Sequence, residues 1–247
     1  MIICHRHRFI FLKTRKTAGT SIEIALSQFC GPDDVITPIS DEDEALRRAL
    51  GYRGPQNVEL PAEARNAADR LRTWWWRKPY QFFNHAPASF VRRYVDPAIW
   101  DGYFKFSFER NPYDKAISRY FWSTREAAAP QPIARFLRHA KRRQISNWEI
   151  YAQRGEIAVD LVGRFENLAG DLATALARVG LSLELPLPRA KTRFRRDARH
   201  YSDVLDASAR ARIERVCAHE LAAFGYRWSD AEPAESSHAA VVSAAAG

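Results

Sequence analysis

The pattern of apolar and polar positions near the start of the chain predicts a strand, a loop and a helix. Apolar residues fill positions 9–12, and cationic and hydroxyl-bearing residues follow at 13–17. We expect the helix to end at Gly31 and Pro32. The first N–H groups of a helix have no partner inside it, so the loop suits a phosphate or sulfate group. The apolar residues after the loop have helical spacing: Ile22, Ala25, Leu26 and Phe29.

A second strand-to-helix junction is predicted further along the chain. Phenylalanine alternates with other residues over 104–108, which indicates a strand with one buried face. Asn111 suits the position before a helix, and Pro112 suits the first helical position. The helix is expected to run to about Trp122. The two predicted strands should be parallel neighbours in one sheet, with ligands at their carboxyl ends.

Arg110 and Ser118 are the candidate binding residues at this second junction. Arg110 is expected where the strand ends, and Ser118 about two turns into the helix. A guanidinium binds a terminal phosphate through two N–H groups, and a hydroxyl can complete the coordination.

The rest of the chain fits one α/β domain over 1–230, followed by a disordered tail over 231–247. Asn167 is expected to cap a helix that ends at Gly180, and a last helix containing Ile213 and Phe224 is expected to end at Gly225. Other helices are predicted at 43–50, 61–76, 88–94, 133–139 and 147–154, and a strand at 159–165.

Composition limits the class of protein. The 247 residues are 46% apolar, and 38 Lys plus Arg against 29 Asp plus Glu give a formal charge of +9. This excess favours an anionic partner without choosing among nucleotide, nucleic acid and acidic polysaccharide. Three scattered cysteines predict free thiols in a reducing compartment, so a cytoplasmic protein is expected. No transmembrane span or signal peptide is predicted.

Two other ligand classes, metal ions and nucleoside triphosphates, fit the sequence poorly. Cys4, His5 and His7 lie close together, but no second ligand pair at zinc-like spacing follows, so no metal site is expected. A nucleoside triphosphate loop reads G-x-x-x-x-G-K-[ST], whereas here Lys16 precedes Gly19 and no glycine stands five residues before it. An ATP or GTP loop is therefore a poor fit.

The two junctions resemble the cofactor motifs of sulfotransferases that use 3′-phosphoadenosine-5′-phosphosulfate (PAPS). The first resembles the 5′-phosphosulfate loop of the carbohydrate-type branch, P-K-T-A-G-T-S, with Arg15 in place of proline. The second resembles the 3′-phosphate motif R-N-P-x-D-R-x-x-S, with Lys115 in place of the second arginine. The resemblance covers about 9–228, and it implies a P-loop-like, three-layer α/β fold with a short central parallel sheet flanked by helices.

The resemblance also implies a function and its residues. Sulfuryl transfer from PAPS to an acceptor hydroxyl, on a saccharide or glycoconjugate, would need no metal. Lys16 and His85 are the implied catalytic residues. A basic loop before the last helix is implied to close over the nucleotide. The implied cofactor-binding residues are Lys13, Arg15, Lys16, Thr17, Ala18, Gly19, Thr20, Ser21, Arg110, Ser118, Arg195, Arg199 and Tyr201.

Several alternatives remain open at this point. Among seven histidines, His85 lies between the two motifs and is the expected base. His200 is the second candidate and Glu109 the third. The tryptophans at 74–76 either line a cleft or pack in the core. A P-loop-type small-molecule kinase and a non-catalytic nucleic-acid binder are the competing functions.

Overall fold

The computed structural model describes residues 1–61, 63, 66, 69, 80–183, 187–188, 199–228 and 240–241. The strands are β1 Ile2–Cys4, β2 Phe9–Phe11, β3 Val35–Ile36, β4 Phe104–Glu109, β5 Ala152–Gln153, β6 Glu156–Ile157, β7 Leu161–Arg164 and β8 Ala240–Val241. The helices are α1 Gly19–Ser27, α2 Asp41–Ala49, α3 Ala88–Tyr94, α4 Pro97–Gly102, α5 Pro112–Ser123, α6 Ile133–His139, α7 Arg142–Ile145, α8 Trp148–Tyr151, α9 Leu168–Ala177, α10 Tyr201–Val204, α11 Ala207–Val216 and α12 Ala218–Phe224, with a 3-10 turn at Phe165–Asn167.

The central sheet is mixed, which corrects the expectation of a purely parallel sheet. Five strands lie in the order β3-β1-β2-β4-β7, and β8 extends the sheet beyond β7. β2, β4 and β7 are parallel, as predicted for the first two, but β1 is antiparallel to both β2 and β3. The turn at 5–8 is too short for a crossover, so β1 and β2 must run in opposite directions.

Helices cover both faces of the sheet, giving three layers. On one face Ile3, Ile10 and Leu12 pack against α3, α4 and α8. On the other face the alternating phenylalanines of β2 and β4 pack against α1 and α9. A third cluster joins α5 to α6, α7, α10 and α11. The alternation predicted for 104–108 is confirmed, because Phe106 and Phe108 share one buried face.

The second predicted junction forms as expected. The Asn111 side chain accepts a hydrogen bond from the Tyr113 N–H at 3.0 Å, and Pro112 occupies the first position of α5. The cap and the fixed φ of proline therefore begin the helix immediately after β4. Its end at Ser123 is one residue beyond the prediction.

Four predicted element boundaries were wrong. α1 ends at Ser27, before Gly31, and the last helix is broken at Cys217 into α11 and α12, with Gly225 ending the second at φ 66°. Asn167 stands before α9, but its side chain donates to Asp171 instead of capping. The helix predicted at 147–154 ends at Tyr151. A β5–β6 hairpin follows it, because positive φ at Arg154 and Gly155 favours a tight turn.

Some predictions lie outside the described residues. These are most of the helix at 61–76, the tryptophans at 74–76, the basic segment 191–198 and most of the tail at 231–247, within which Ala240–Val241 forms β8. Within the described ranges, every helix is too short or too polar to cross a membrane.

Candidate active site

The anion-binding loop lies between β2 and α1, and its backbone has an unusual shape. Lys16 and Ala18 both adopt left-handed conformations, with φ of 64° and 57°, and α1 begins at the next residue, Gly19. Left-handed residues turn successive N–H groups toward one side of a loop, where they form an anion-binding concavity. The positive end of the α1 dipole lies behind this concavity, since Thr20 and Ser21 belong to the first turn.

Gly19 is required here by close approach rather than by its φ. A Cβ added at Gly19 would lie 2.9 Å from Lys13 Cγ and 3.0 Å from the Thr14 carbonyl oxygen. The loop therefore folds tightly back over the residues that enter it, and a side chain at this position would force them apart.

Two residues predicted to contact the cofactor have buried side chains with other partners. Lys13 Nζ lies 2.6 Å from Glu23 Oε2, and both side chains are nearly inaccessible. Burial alone would raise the pKa of Glu23, but the charges and hydrogen bonds of Lys13 and the N-terminal ammonium together outweigh it and lower that pKa to about 2. The Thr17 hydroxyl lies 2.8 Å from Thr14 Oγ1, inside the fold. A contact of Lys13 or the Thr17 hydroxyl with the cofactor stays a prediction.

Arg110 joins the second junction to the first. Its Nη1 donates to the Lys16 carbonyl oxygen at 3.3 Å, so the two predicted motifs meet in space. Its Nε donates to Asp114 Oδ2 at 2.8 Å, Nη2 donates to the same oxygen, and the guanidinium lies 4.0 Å from the centre of the Phe165 ring. A guanidinium has five N–H groups, so it keeps further donors for a phosphate.

Ser118, the residue predicted to accompany Arg110, is half-buried on α5. Three cations surround the Trp122 ring on the same helix: the ring centre lies 5.6 Å from Lys16 Nζ, 4.9 Å from Arg119 Cζ and 4.5 Å from Arg125 Cζ. Lys16 therefore extends from the loop over the face of Trp122, as expected for a cation–π contact.

Positive charge is concentrated around the loop. Burial and the charges of Arg119 and Arg143 lower the pKa of the Arg15 guanidinium. Within the described part of the chain, Arg119 Nε is buried without a hydrogen-bond partner. An orphaned cationic donor beside mutually repelling arginines is the arrangement that a bound anion would stabilise.

His85 lies against the entrance of the loop. Its Nδ1 is 2.9 Å from the Lys13 carbonyl oxygen, although 72 positions separate the two residues. A carbonyl only accepts, so Nδ1 carries the proton and Nε2 has a free lone pair in the neutral ring. Burial, then the charges of Arg15 and Lys13, lower the pKa of His85 to about 3. Its left-handed φ of 62° is the kind of strain often found at functional sites.

The alternative bases are placed differently. Glu109 is fully buried, where it accepts from Lys115 Nζ at 2.8 Å and from the Tyr151 hydroxyl at 2.9 Å. His200 stands before α10, with its Nδ1 2.8 Å from the Ser202 hydroxyl oxygen. Among the hydrogen bonds of the described residues, His85 is the one candidate base whose side chain bonds to the loop.

The late basic loop is only partly described. Arg195 lies outside the described residues, and Arg199 is exposed. Tyr201 is buried, stacked 5.1 Å from Tyr113, and its hydroxyl donates to the Trp228 carbonyl oxygen at 3.0 Å. This side chain packs in the core, and its contact with the cofactor stays a prediction.

Asn147 is a site residue that the sequence reasoning missed. Its side chain accepts from the Arg15 N–H and donates to the Arg15 carbonyl oxygen, both at 3.0 Å, and it also donates to Glu109 Oε1 at 3.2 Å. Its own N–H donates to Glu220 Oε1 at 3.1 Å. An asparagine at the start of a predicted helix carries no sequence signal for this role.

The chain is similar in sequence to known proteins. An uncharacterized protein of Archaeoglobus fulgidus is 32% identical over 103 residues, which are 40% of this chain and 86% of that protein. No solved structure matches the chain. The sequence matches the model of the sulfotransferase family over residues 1–227, a span that includes both cofactor-type motifs and His85. The chain therefore belongs to the sulfotransferase family.

Proposed function

We propose that this protein transfers the sulfuryl group of PAPS to a hydroxyl of a saccharide or glycoconjugate. Membership of the sulfotransferase family supports sulfotransferase activity. The donor assignment is carried by the 3.3 Å contact between Arg110 Nη1 and the Lys16 carbonyl oxygen. This contact brings the residue proposed for the 3′-phosphate next to the loop proposed for the 5′-phosphosulfate. PAPS supplies an activated sulfuryl group and leaves as adenosine 3′,5′-bisphosphate.

The loop residues fit an anion of this kind. Positive φ at Lys16 and Ala18, the tight packing at Gly19 and the unpartnered Arg119 Nε all favour bound negative charge. Lys16 and the N–H groups of 17–21 stabilise charge that develops on the leaving phosphate. Arg110 and Ser118 hold the 3′-phosphate, and the bond from Arg110 to the loop keeps the two ends of the donor at a fixed separation.

His85 is proposed as the general base. Its Nδ1–H is held by the Lys13 carbonyl oxygen, which leaves Nε2 to take the proton of the acceptor hydroxyl. The low pKa keeps the ring neutral in the free protein. Negative charge bound beside it raises that pKa toward neutrality, where an imidazole is an effective base.

The surface beside His85 supports a saccharide acceptor. Phe83, two residues earlier, is 42% exposed and lies edge-to-face against Phe90 with ring centres 4.9 Å apart. An exposed aromatic ring next to the base offers an apolar face to the C–H side of a sugar ring.

Ligand-dependent melting tests the donor assignment. Adenosine 3′,5′-bisphosphate at about 100 times its Kd should stabilise the fold by ~2.7 kcal/mol, or roughly 5–10 °C in Tm. AMP, ADP and ATP at equal concentration should have smaller effects. Arg110→Ala should abolish the difference, whereas Arg92→Ala, an exposed arginine on α3, should keep it.

Transfer itself is measured with PAPS labelled in its sulfuryl group and a panel of saccharides. Labelled product with PAPS, and none with ATP labelled in its γ-phosphate, is the expected result. Equal melting shifts for AMP and the bisphosphate would overturn the 3′-phosphate assignment. Label transfer from ATP would favour a kinase instead.

A further inference from the structure

Three buried side chains that could bind a metal converge away from the candidate active site. Cys4 ends β1, Cys30 follows α1, and Asp34 precedes β3. Their two sulfur atoms and a carboxylate oxygen all lie within 4.8 Å of one another. Cys4 pairs with Phe9 at the start of β2, whereas the anion-binding loop follows the end of that strand. The cluster therefore lies at the opposite end of the strands from the loop.

The Asp34 carboxylate is held in place by the backbone. Its Oδ1 accepts from the N–H groups of His5 at 2.5 Å and Arg6 at 3.3 Å, and its Oδ2 accepts from the Gly31 N–H at 2.6 Å. Carboxylates that bind metals are fixed by outer hydrogen bonds of this kind. Oδ2 also accepts a hydrogen bond from Cys4 Sγ at 3.2 Å, so this oxygen contacts one of the two thiols.

The spacing suits a tetrahedral ion. With zinc bonds of about 2.3 Å to sulfur and about 2.0 Å to oxygen, two ligand atoms lie roughly 3.5–3.8 Å apart. The measured Cys4 Sγ to Asp34 Oδ2 distance is 3.2 Å, and no pair in the cluster exceeds 4.8 Å. Small side-chain rotations therefore bring all three atoms to bonding distance.

A cavity adjoins one member of the cluster. Cys30 lines a cavity of about 380 Å³ together with Ser27, Gln28 and residues 51–56. Arg53, also in that lining, donates from Nε to the Cys30 carbonyl oxygen at 3.0 Å. The fully buried Arg47 guanidinium acts electrostatically on Cys30, and its positive charge offsets the net negative charge of two thiolates, one carboxylate and one divalent ion.

We propose that Cys4, Cys30 and Asp34 form a binding site for a thiophilic divalent cation, for which zinc is the probe. Two metal–sulfur bonds and one metal–oxygen bond form, and both thiol protons pass to solvent. The hydrogen bonds from Cys4 to Asp34 and from Cys30 to the Leu26 carbonyl oxygen are lost, and a water from the cavity occupies the fourth position. The ion ties β1 to the chain that leaves α1, which stabilises the fold without taking part in sulfuryl transfer.

Metal content and a cobalt spectrum test the proposal. Untagged protein, purified without chelator and dialysed against metal-free buffer, should contain one zinc per chain by elemental mass spectrometry. Cobalt(II) should replace it with a near-ultraviolet thiolate-to-metal absorption. Cys217→Ser is the matched control, because Cys217 is also a buried free cysteine but is not in the cluster. It should keep the metal, whereas Cys4→Ser and Cys30→Ser should each lower the affinity at least tenfold.

The unsubstituted protein gives an answer even if the serine variants do not fold. Chelation should lower its Tm, and one equivalent of zinc should restore it. Three outcomes overturn the proposal: protein that takes up no zinc or cobalt, equal affinity in the Cys217→Ser and Cys30→Ser proteins, and a mass two hydrogens lower that identifies a Cys4–Cys30 disulfide.

Discussion

The carboxamide of Asn147 pairs with the backbone of Arg15 in both directions, with N–H and C=O bonds of 3.0 Å each. These residues are 132 positions apart, and Asn147 is itself anchored to Glu220 through its backbone N–H at 3.1 Å. The conformation of the loop just before Lys16 is therefore fixed by a residue outside the strand-loop-helix unit.

Asn147→Ala should act on the loop more than on the fold as a whole. Because the Arg15 backbone loses both partners, kcat should fall about 10- to 100-fold with a smaller change in KM, while the free energy of unfolding falls by ~1–3 kcal/mol. Sulfuryl-transfer kinetics and denaturant unfolding measure the two effects separately. We expect Asn147→Asp to keep only the acceptor half of the pairing and to recover little activity.

Ser146→Ala is the matched control for this prediction. Ser146 donates to the same Glu220 oxygen at 2.6 Å, and its side chain is buried next to Asn147. The variant should lose similar stability but keep kcat within about twofold, since the hydrogen bonds described for the Ser146 side chain are with Glu220 and the Trp148 N–H and not with the loop. An equal loss of kcat in both variants would make Asn147 a purely structural residue.

Gly19→Ala should disturb the loop through a steric clash. The added Cβ would lie 3.0 Å from the Thr14 carbonyl oxygen, and the backbone must shift to relieve this contact. We expect at least a tenfold loss of bisphosphate affinity by calorimetry and a destabilisation of ~1–3 kcal/mol. Gly54→Ala, where a Cβ meets nothing within 4 Å, should leave affinity unchanged and stability within about 0.5 kcal/mol.

Lys16→Ala should lower turnover by about a hundredfold or more, because the lysine acts on charge that develops during transfer. The affinity for the bisphosphate, measured by calorimetry, should change much less than the rate measured by kinetics. Lys141→Ala removes an exposed lysine and should match the unsubstituted protein in both measurements. A near-normal rate for Lys16→Ala would mean that the loop N–H groups, and not Lys16, stabilise the charge on the leaving phosphate.

Both strand-to-helix junctions could be predicted from sequence because their signals are local. The alternating phenylalanines of β4, the Asn111 cap and Pro112 act within a few residues of each other. The parallel pairing of β2 with β4 followed from the rule that ligand-binding ends of such strands share one edge. These elements also bring Arg110 to the loop.

Contacts distant in sequence could not be predicted in the same way. The direction of β1 depends on its pairing with β2 and β3, and the role of Asn147 depends on where α8 docks. The resemblance implied that Lys13 contacts the cofactor, but its ammonium lies beside the buried Glu23, in the core. A hydrophobic period does not specify which way a polar side chain points.

Folding stability should depend on pH through His85. Its pKa is about 3 in the native protein against an ordinary 6.5, so between these values the unfolded chain binds a proton that the native state does not. The contribution of His85 to the free energy of unfolding should therefore fall as the pH is lowered through this window, by at most about 1.4 kcal/mol per pH unit. Above pH 6.5 this contribution should no longer change with pH. Denaturant unfolding from pH 7 to 4.5 measures the slope.

His85→Asn isolates this contribution with little change in structure. Asparagine tolerates the left-handed φ of 62°, and its amide N–H can replace the donor that Nδ1 provides to the Lys13 carbonyl oxygen. The variant should remove the His85 part of the slope above pH 4.5 and leave the part due to the buried N-terminal ammonium, whose pKa is lowered to about 5 mainly by burial. Below pH 4.5, Glu23, with its pKa lowered to about 2, adds its own acid dependence. His139→Asn, at an exposed position in α6, should retain the full slope. If His85→Asn keeps the slope and turns over normally, the His85 ring neither titrates in this window nor serves as the base.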